Sequence, residues 1–353
     1  MKKDIRKITN TDLLAWLLSI NEKPFRANQI NDWLWIKWAR SFEQMANLSK
    51  DLRNKLDEAF VIKTLEIAEQ QKSTDGTIKA AFKLFDTNIV EGVLIPKGER
   101  MTACISSQVG CSLTCKFCAT GYMDRKRNLE AFEIFDQAKA IAQIAENEFS
   151  MPLTNIVMMG MGEPLLNYVN VLEGINRITS PQGMGWSPKR ITLSTAGIAK
   201  MITKLADDQV KFNLALSLHA ANDEKRNQIM PINESNTLAA LKESLRYFFQ
   251  KTKNQITFEY IAFQGFNDGE RDAHELANFT RSIGAPIKVN IIEYNPIAEA
   301  DFVNTSADNL EVFTAILEKK GINVNVRRSR GKDIDAACGQ LANKQKGAEA
   351  LKA

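Results

Sequence analysis

From about residue 100 onward, short apolar runs alternate with longer stretches of helical spacing. The runs are Thr102–Ser106, Asn155–Met159, Ile191–Ser194, Phe212–Leu218, Ile256–Ile261, Ile287–Ile292 and Ile322–Val326. Runs bounded by turn residues and separated by amphipathic stretches read as βαβ units on a parallel sheet. That α/β pattern fits either a doubly wound sheet or most of a barrel. The chain begins differently. Leu13, Leu14, Trp16, Leu17 and then Ile30, Trp33, Leu34 recur at helical spacing, with Thr11 a candidate cap. Between these regions, Thr77–Phe85 and Ile89–Ile95 flank Asp86-Thr87-Asn88, which reads as a hairpin. The expected organisation is a small helical N-terminal domain (1–75), a β-rich bridge (76–100), an α/β core (101–341) and a Lys- and Ala-rich flexible tail (342–353).

Composition narrows the class only modestly. With 44% hydrophobic and 25% charged residues, the chain can bury a core and is not a disordered polymer. No apolar stretch reaches the length of a membrane span, and Met1-Lys2-Lys3-Asp4 opens no signal-peptide core, so a cytoplasmic protein is expected. The net charge of +4 is too weak to imply a nucleic-acid partner by itself. Four of the five tryptophans, Trp16, Trp33, Trp35 and Trp38, lie among basic residues near the N-terminus, which suits a packed core or a stacking surface for RNA.

The cysteines change the picture. Three of the five form Cys111-x3-Cys115-x2-Cys118, in the loop after the first run of the core. Such close spacing marks a metal centre. Structural zinc asks for a fourth ligand, normally from a second cysteine pair, and no second pair exists. Three thiolates around a four-iron cluster leave one iron open to a small molecule. The remaining special residues also fall where runs end: Gly160 to Glu163, Ser194 to Gly197, His219, and Asn295-Pro296. In parallel α/β folds ligands bind at those carboxyl ends. Two cysteines lie outside the triplet: Cys104, near the end of the first run, and Cys338, between Ala337 and Gly339 in the loop after the last. As residues alone they suit inert packing or a meeting over the pocket.

The string Cys111-Ser-Leu-Thr-Cys115-Lys-Phe117-Cys118 resembles the signature of the radical S-adenosylmethionine enzymes. Longer strings resemble the RlmN family of dual-specificity RNA methyltransferases: Ile105-Ser-Ser-Gln-Val-Gly-Cys111, Met158-Met-Gly-Met-Gly-Glu163-Pro-Leu-Leu-Asn167, Ser217-Leu-His219, and Asp333-Ile-Asp-Ala-Ala-Cys338-Gly-Gln-Leu341. The resemblance runs from about Glu91 to Leu341 and is weaker over the N-terminus. It implies a partial (β/α)6 barrel and a 4Fe-4S cluster on Cys111, Cys115 and Cys118. It implies S-adenosylmethionine held by Phe117, Gly162, Glu163, Ser194, Ser217, Leu218, His219 and Asn295. The implied reaction methylates C2 of an adenine in 23S ribosomal RNA and in certain transfer RNAs. Cys338 would carry the methyl group as S-methylcysteine, Glu91 would accept the C2 proton, and Cys104 would resolve the intermediate through a transient disulfide with Cys338.

A radical route suits this chemistry, because C2 lies between two ring nitrogens and is not nucleophilic. The expected partners are ribosomal RNA early in assembly, transfer RNA and a reductant such as flavodoxin, with the enzyme a monomer. The basic strings Arg125-Lys-Arg127 and Arg327-Arg-Ser-Arg330-Gly-Lys332 are candidate phosphate contacts. The alternatives are a related enzyme methylating C8 of the same ribosomal adenine, against which Pro164 and Thr192–Gly197 speak, and a zinc-stabilised RNA-binding protein.

Overall fold

The structure is a computed structural model and describes residues 2–343. The expected tail therefore falls almost wholly outside the described residues.

In the N-terminal unit, α1 (Asn10–Ser19), α2 (Arg26–Asn31) and α3 (Lys50–Ala59) pack around Leu13, Leu17, Ile30, Leu52 and Leu56. The first helix is capped by Thr9 rather than Thr11, through a reciprocal pair with Asp12. Two short strands, β1 (Lys3–Asp4) and β2 (Phe60–Val61), pair in parallel and tie the ends of the unit together. The tryptophans are used in packing. Trp35 is buried edge-on against Phe135, and Trp38 Nε1 donates to Asp136 Oδ1 at 2.8 Å. Asp136 also holds the buried Arg6 guanidinium at 2.9 Å, so a desolvated ion pair docks this unit onto the core.

One ten-stranded sheet dominates the rest. An antiparallel meander, β3 (Glu66–Lys72), β4 (Ile78–Lys83), β5 (Ile89–Lys97) and β6 (Arg100–Cys104), leads into the core. A two-strand clasp, β7 (Gln108–Val109) with β8 (Arg127–Asn128), closes the cysteine loop at its base. Then β9 (Asn155–Met158), β10 (Ile191–Thr195), β11 (Asn213–Ser217), β12 (Ile256–Ile261), β13 (Ile287–Ile292) and β14 (Asn323–Arg327) follow in parallel from β6. The helices between them are α4 (Ala131–Phe149), α5 (Tyr168–Thr179), α6 (Ala199–Asp207), α7 (Asp223–Ile229), α8 (Leu238–Thr252), α9 (Glu270–Ser282) and α10 (Ala307–Lys319).

The spatial order β6-β9-β10-β11-β12-β13-β14 never reverses. A doubly wound sheet requires a reversal, so the two readings left open by the sequence resolve to an incomplete barrel. Its edge strands, β14 and β3, do not pair with each other. Instead the chain after β14 crosses to the β3–β4 hairpin: Gly331 N donates to Asp75 Oδ2 at 2.9 Å and Ser73 Oγ to Asp333 Oδ1 at 2.6 Å.

Two local differences from the sequence reading have physical causes. Glu66–Lys72 is a strand rather than a continuation of the helical segment; as a mostly exposed edge strand it carries polar residues on both faces and shows no apolar period. Arg127 is not a free phosphate contact, because its guanidinium bridges Glu133 (2.7 and 2.9 Å) and Asp86 (2.6 Å). No helix among the described residues is long and apolar enough to cross a membrane.

Candidate active site

The loop after β6 carries the cysteine triplet into the mouth of the barrel. Gly110 turns the chain there with φ +76°, and a Cβ on it would lie 2.2 Å from the Asp124 carbonyl oxygen. Only glycine fits that turn. Lys116 N donates to Ile229 O (3.0 Å), Cys118 N to Cys115 O (3.2 Å) and Gly121 N to Cys118 O (2.8 Å), which fixes the loop against α7. All three cysteines line one cavity at the strand ends. Burial pushes their thiols up, Cys111 to about 11. Such thiols hold their protons until a metal centre displaces them. Among the described residues no three His, Cys, Asp or Glu side chains are already gathered around a single-ion position. Three thiols spread around one cavity fit a larger group such as a cluster.

The other strand ends contribute in turn to the same cavity. Gly162, after β9, has φ +93°, and a Cβ would lie 2.5 Å from Gln108 Cβ. The following Glu163 is buried and tightly held: Oε1 accepts from Leu165 N (3.0 Å), Oε2 from Ala196 N (2.7 Å), and its own N–H donates to Gln108 Oε1 (2.9 Å). Burial raises its pKa while the backbone N–H donors pull it down. Ser194 and Ser217 present their hydroxyls 3.5 Å apart.

His219 takes the left-handed backbone conformation, φ +54°, uncommon for a histidine. Its Nδ1 accepts from Ile261 N at 3.1 Å and its ring stands edge-on to Phe117, centroids 4.6 Å apart. Burial, with the nearby Arg226, lowers its pKa to about 3, so the imidazole is neutral. It can donate from Nε2 but cannot serve as a proton reservoir near neutral pH.

The remaining expected residues are distributed as follows. Leu218 is fully buried and does not line this cavity; its N–H donates to Glu259 O (3.0 Å) and its carbonyl accepts from Arg226 Nε (3.0 Å). Asn295 sits behind the wall, where Nδ2 donates to Cys338 O at 3.1 Å and a buried Oδ1 has no partner. Cys338 lines the first cavity and also a second, open chamber of about 880 Å³, whose wall includes Cys104. Both cysteines are free thiols, so the expected disulfide is not formed in this structure. Burial pushes the Cys104 thiol up to about 12, whereas Cys338 is exposed.

Glu91 lines neither space. It is buried beside Lys79 (3.5 Å), and its Oε2 accepts from the backbone N–H groups of Ala342 (3.0 Å) and Asn343 (3.1 Å). A role as proton acceptor therefore requires Ala342 and Asn343 to leave its carboxylate.

Two residues at the site escaped the sequence reading. Arg226, fully buried on α7, donates to Leu218 O, Ser217 O, Ala196 O and Asn233 Oδ1, pinning the ends of β10 and β11 together. No periodic signal marks it. Glu259 lines the first cavity and accepts from Asn290 Nδ2 (2.8 Å) and Arg327 Nη1 (3.4 Å). Its signal was present: a lone charge inside the apolar run Ile256–Ile261.

An incomplete parallel barrel with three cysteines in its first strand-end loop, facing a glycine-turn carboxylate, defines a radical S-adenosylmethionine enzyme, and the radical SAM superfamily model matches residues 105–277. Such enzymes use a 4Fe-4S cluster and S-adenosylmethionine. The N-terminal domain model of the ribosomal RNA large subunit methyltransferases (RlmN) matches residues 3–62. A protein of Cytophaga hutchinsonii described as a probable dual-specificity RNA methyltransferase RlmN is 63% identical, covering 98% of this chain and 94% of its own. One of Streptococcus mutans with the same description is 41% identical over 97% of this chain and 95% of its own. A crystal structure of a radical SAM methyltransferase from Sphaerobacter thermophilus superposes with TM-score 0.89 at 38% identity, covering 96% of this chain and 99% of that one. The chain belongs to the RlmN family of radical SAM RNA methyltransferases.

Proposed function

We propose that this methyltransferase installs a methyl group on C2 of an adenine in 23S ribosomal RNA and in transfer RNA, with Cys338 as the methyl carrier. The observation that carries the reading is the position of Cys338, whose side chain borders both the cavity of the cysteine triplet and the chamber that holds Cys104. A group that must collect a methyl in one space and deliver it in another belongs at such a junction. Cys111, Cys115 and Cys118 would ligate the cluster, and Phe117, Gly162, Glu163, Ser194, Ser217 and His219 would surround the S-adenosylmethionine in the first cavity. Asn295, behind that wall, would have to turn its unpartnered Oδ1 into the cavity to accept from an amino group of the ligand. Leu218 would contribute only by fixing the wall.

When bound, the cluster supplies the electron that cleaves S-adenosylmethionine and so a radical able to abstract hydrogen. The residues do the rest. Cys338, as thiolate, takes a methyl group by displacement at carbon, and S-adenosylhomocysteine leaves. After one hydrogen atom is abstracted from that methyl, the resulting radical carbon bonds to adenine C2 and joins Cys338 to the RNA, and the adduct would return its one unpaired electron to the oxidised cluster as the C2 proton leaves. Glu91, once freed of Ala342 and Asn343, would accept the C2 proton. Cys104, as thiolate, then attacks Cys338 Sγ; the C–S bond breaks, the released carbon takes a solvent proton, and a disulfide forms that an external reductant must open by two electrons. The target base would have to be unpaired or flipped to enter.

Ribosomal and transfer RNA as substrates would suit an enzyme of the cytoplasm, and a flavodoxin-type protein would suit as its reductant; a monomer remains the expected state. Anaerobic reaction with bare ribosomal and transfer RNA, followed by nucleoside mass analysis, tests the reading. It predicts 2-methyladenosine in both RNAs; 8-methyladenosine, or no methylated adenosine, would refute it.

A further inference from the structure

A line of polar side chains crosses the barrel wall where apolar residues would be expected. Glu259 on β12, Asn290 on β13 and Asn325 on β14 are consecutive register partners, so their side chains lie side by side on one face. Asn290 Nδ2 donates to Glu259 Oε1 (2.8 Å), and Asn325 Nδ2 donates to Asn290 Oδ1 (3.1 Å). The order fixes each amide. Glu259, capped by Arg327, accepts only, so Asn290 must turn its nitrogen toward it and its oxygen toward Asn325. Asn325 in turn commits one N–H inward. Its other N–H and its Oδ1 remain for the open chamber, which Asn325 lines together with Cys104 and Cys338.

We propose that Asn325 reads the N6/N7 edge of the target adenine, held in orientation by Asn290 and Glu259; this rests on the RNA-methylating reading above. An amide oxygen accepts from the N6 amino group while the amide N–H donates to N7, a pairing that guanine, with acceptors at both O6 and N7, cannot complete with the amide either way round. The bonds to Asn290 and Glu259 hold the amide in the orientation that matches adenine. The N6/N7 edge also lies on the opposite side of the purine from C2. A base held there leaves C2 free to face Cys338. The chamber, about 880 Å³, has Lys97 and Arg328 on its walls, positive charge suited to the flanking phosphates.

The test uses cluster-loaded full-length enzyme and a fluorescent RNA hairpin carrying adenine, 7-deazaadenine or unsubstituted purine at the target position. Wild-type enzyme should bind the adenine hairpin about tenfold more tightly than either analogue, the scale of one lost bidentate contact. Asn325→Ala should bind all three hairpins equally and more weakly than wild type binds adenine. Asn325→Asp, of the same size and unable to donate to N7, guards against a folding artefact and should lose the 7-deazaadenine preference alone. An Asn325→Ala enzyme that keeps the tenfold preference, or a wild type that shows none, overturns the assignment. A wild-type enzyme that leaves the adenine hairpin unmethylated overturns the RNA-methylating reading with it, and nucleoside analysis of the same samples separates the two failures.

Discussion

Replacing Gly162 by alanine probes how the first cavity is built. Two costs follow from the geometry. At φ +93° an L side chain strains the backbone by roughly 1 to 2 kcal/mol. The new Cβ would also lie 2.5, 2.7 and 2.9 Å from Gln108 Cβ, Cγ and backbone N. Because two of those atoms belong to or adjoin the main chain, a side-chain swing cannot relieve the overlap, and overpacking of this kind costs about 1 to 3 kcal/mol. Together these give about 2 to 5 kcal/mol. Gln108 also accepts from Glu163 N, and Glu163 accepts from Ala196 N, so displacement spreads to two more strand ends. Thermal unfolding should therefore fall by at least about 3 °C. Binding of S-adenosylmethionine, measured calorimetrically, should weaken at least about tenfold. Gly185→Ala is the control: φ is +66° but nothing lies within 4 Å of the new Cβ, so it carries only the backbone strain and leaves binding unchanged. If Gly162→Ala matches Gly185→Ala in both measurements, the close approach of Gln108 to Gly162 does not shape the site.

Other outcomes follow from the same structure. His219 has its pKa depressed from 6.5 to about 3, so the unfolded chain binds a proton that the folded one refuses: stability is full above pH 6.5 and declines as pH falls toward 3, by about 2 kcal/mol at pH 5. Denaturant titrations at pH 7 and pH 5 should show that loss in wild type and not in His219→Asn; equal slopes would contradict it. Arg226→Met strips the donors from Leu218 O, Ser217 O, Ala196 O and Asn233 Oδ1 and should cost at least about 2 kcal/mol, whereas near-wild-type stability would mean water replaces the guanidinium. Cys104→Ala should accumulate a nuclease-sensitive covalent RNA adduct on denaturing gels, absent when Cys338→Ala is added. Normal turnover without adduct would make Cys104 a packing residue.

Much of this molecule is legible from its residues, for identifiable reasons. Buried parallel strands read as uninterrupted apolar runs, so Ile256–Ile261 and Ile287–Ile292 coincide with β12 and β13 as found. Candidate metal ligands clustered in one loop are legible because their spacing is local, as for Cys111, Cys115 and Cys118. The choice between winding patterns was hidden, since strand order is set by packing of helices on the sheet and not by any run of residues. The edge strand Glu66–Lys72 was hidden by its polar, solvent-facing composition. The position of Glu91 was hidden for another reason. Its partners Ala342 and Asn343 lie some 250 residues away, and no spacing rule connects them. The same distance separates Asp75 from Gly331, the contact that spans the open side of the barrel.

The central claim is that the methyl group passes through Cys338 and loses one hydrogen on the way. S-adenosylmethionine carrying a fully deuterated methyl group tests it most directly, with peptide mass analysis of the enzyme and nucleoside mass analysis of the RNA. The account predicts a trideuterated methyl on the Cys338 peptide before RNA is added, and a methyladenosine retaining two deuterons and one solvent hydrogen afterwards. A product that keeps all three deuterons, formed by enzyme whose Cys338 was never methylated, would contradict it.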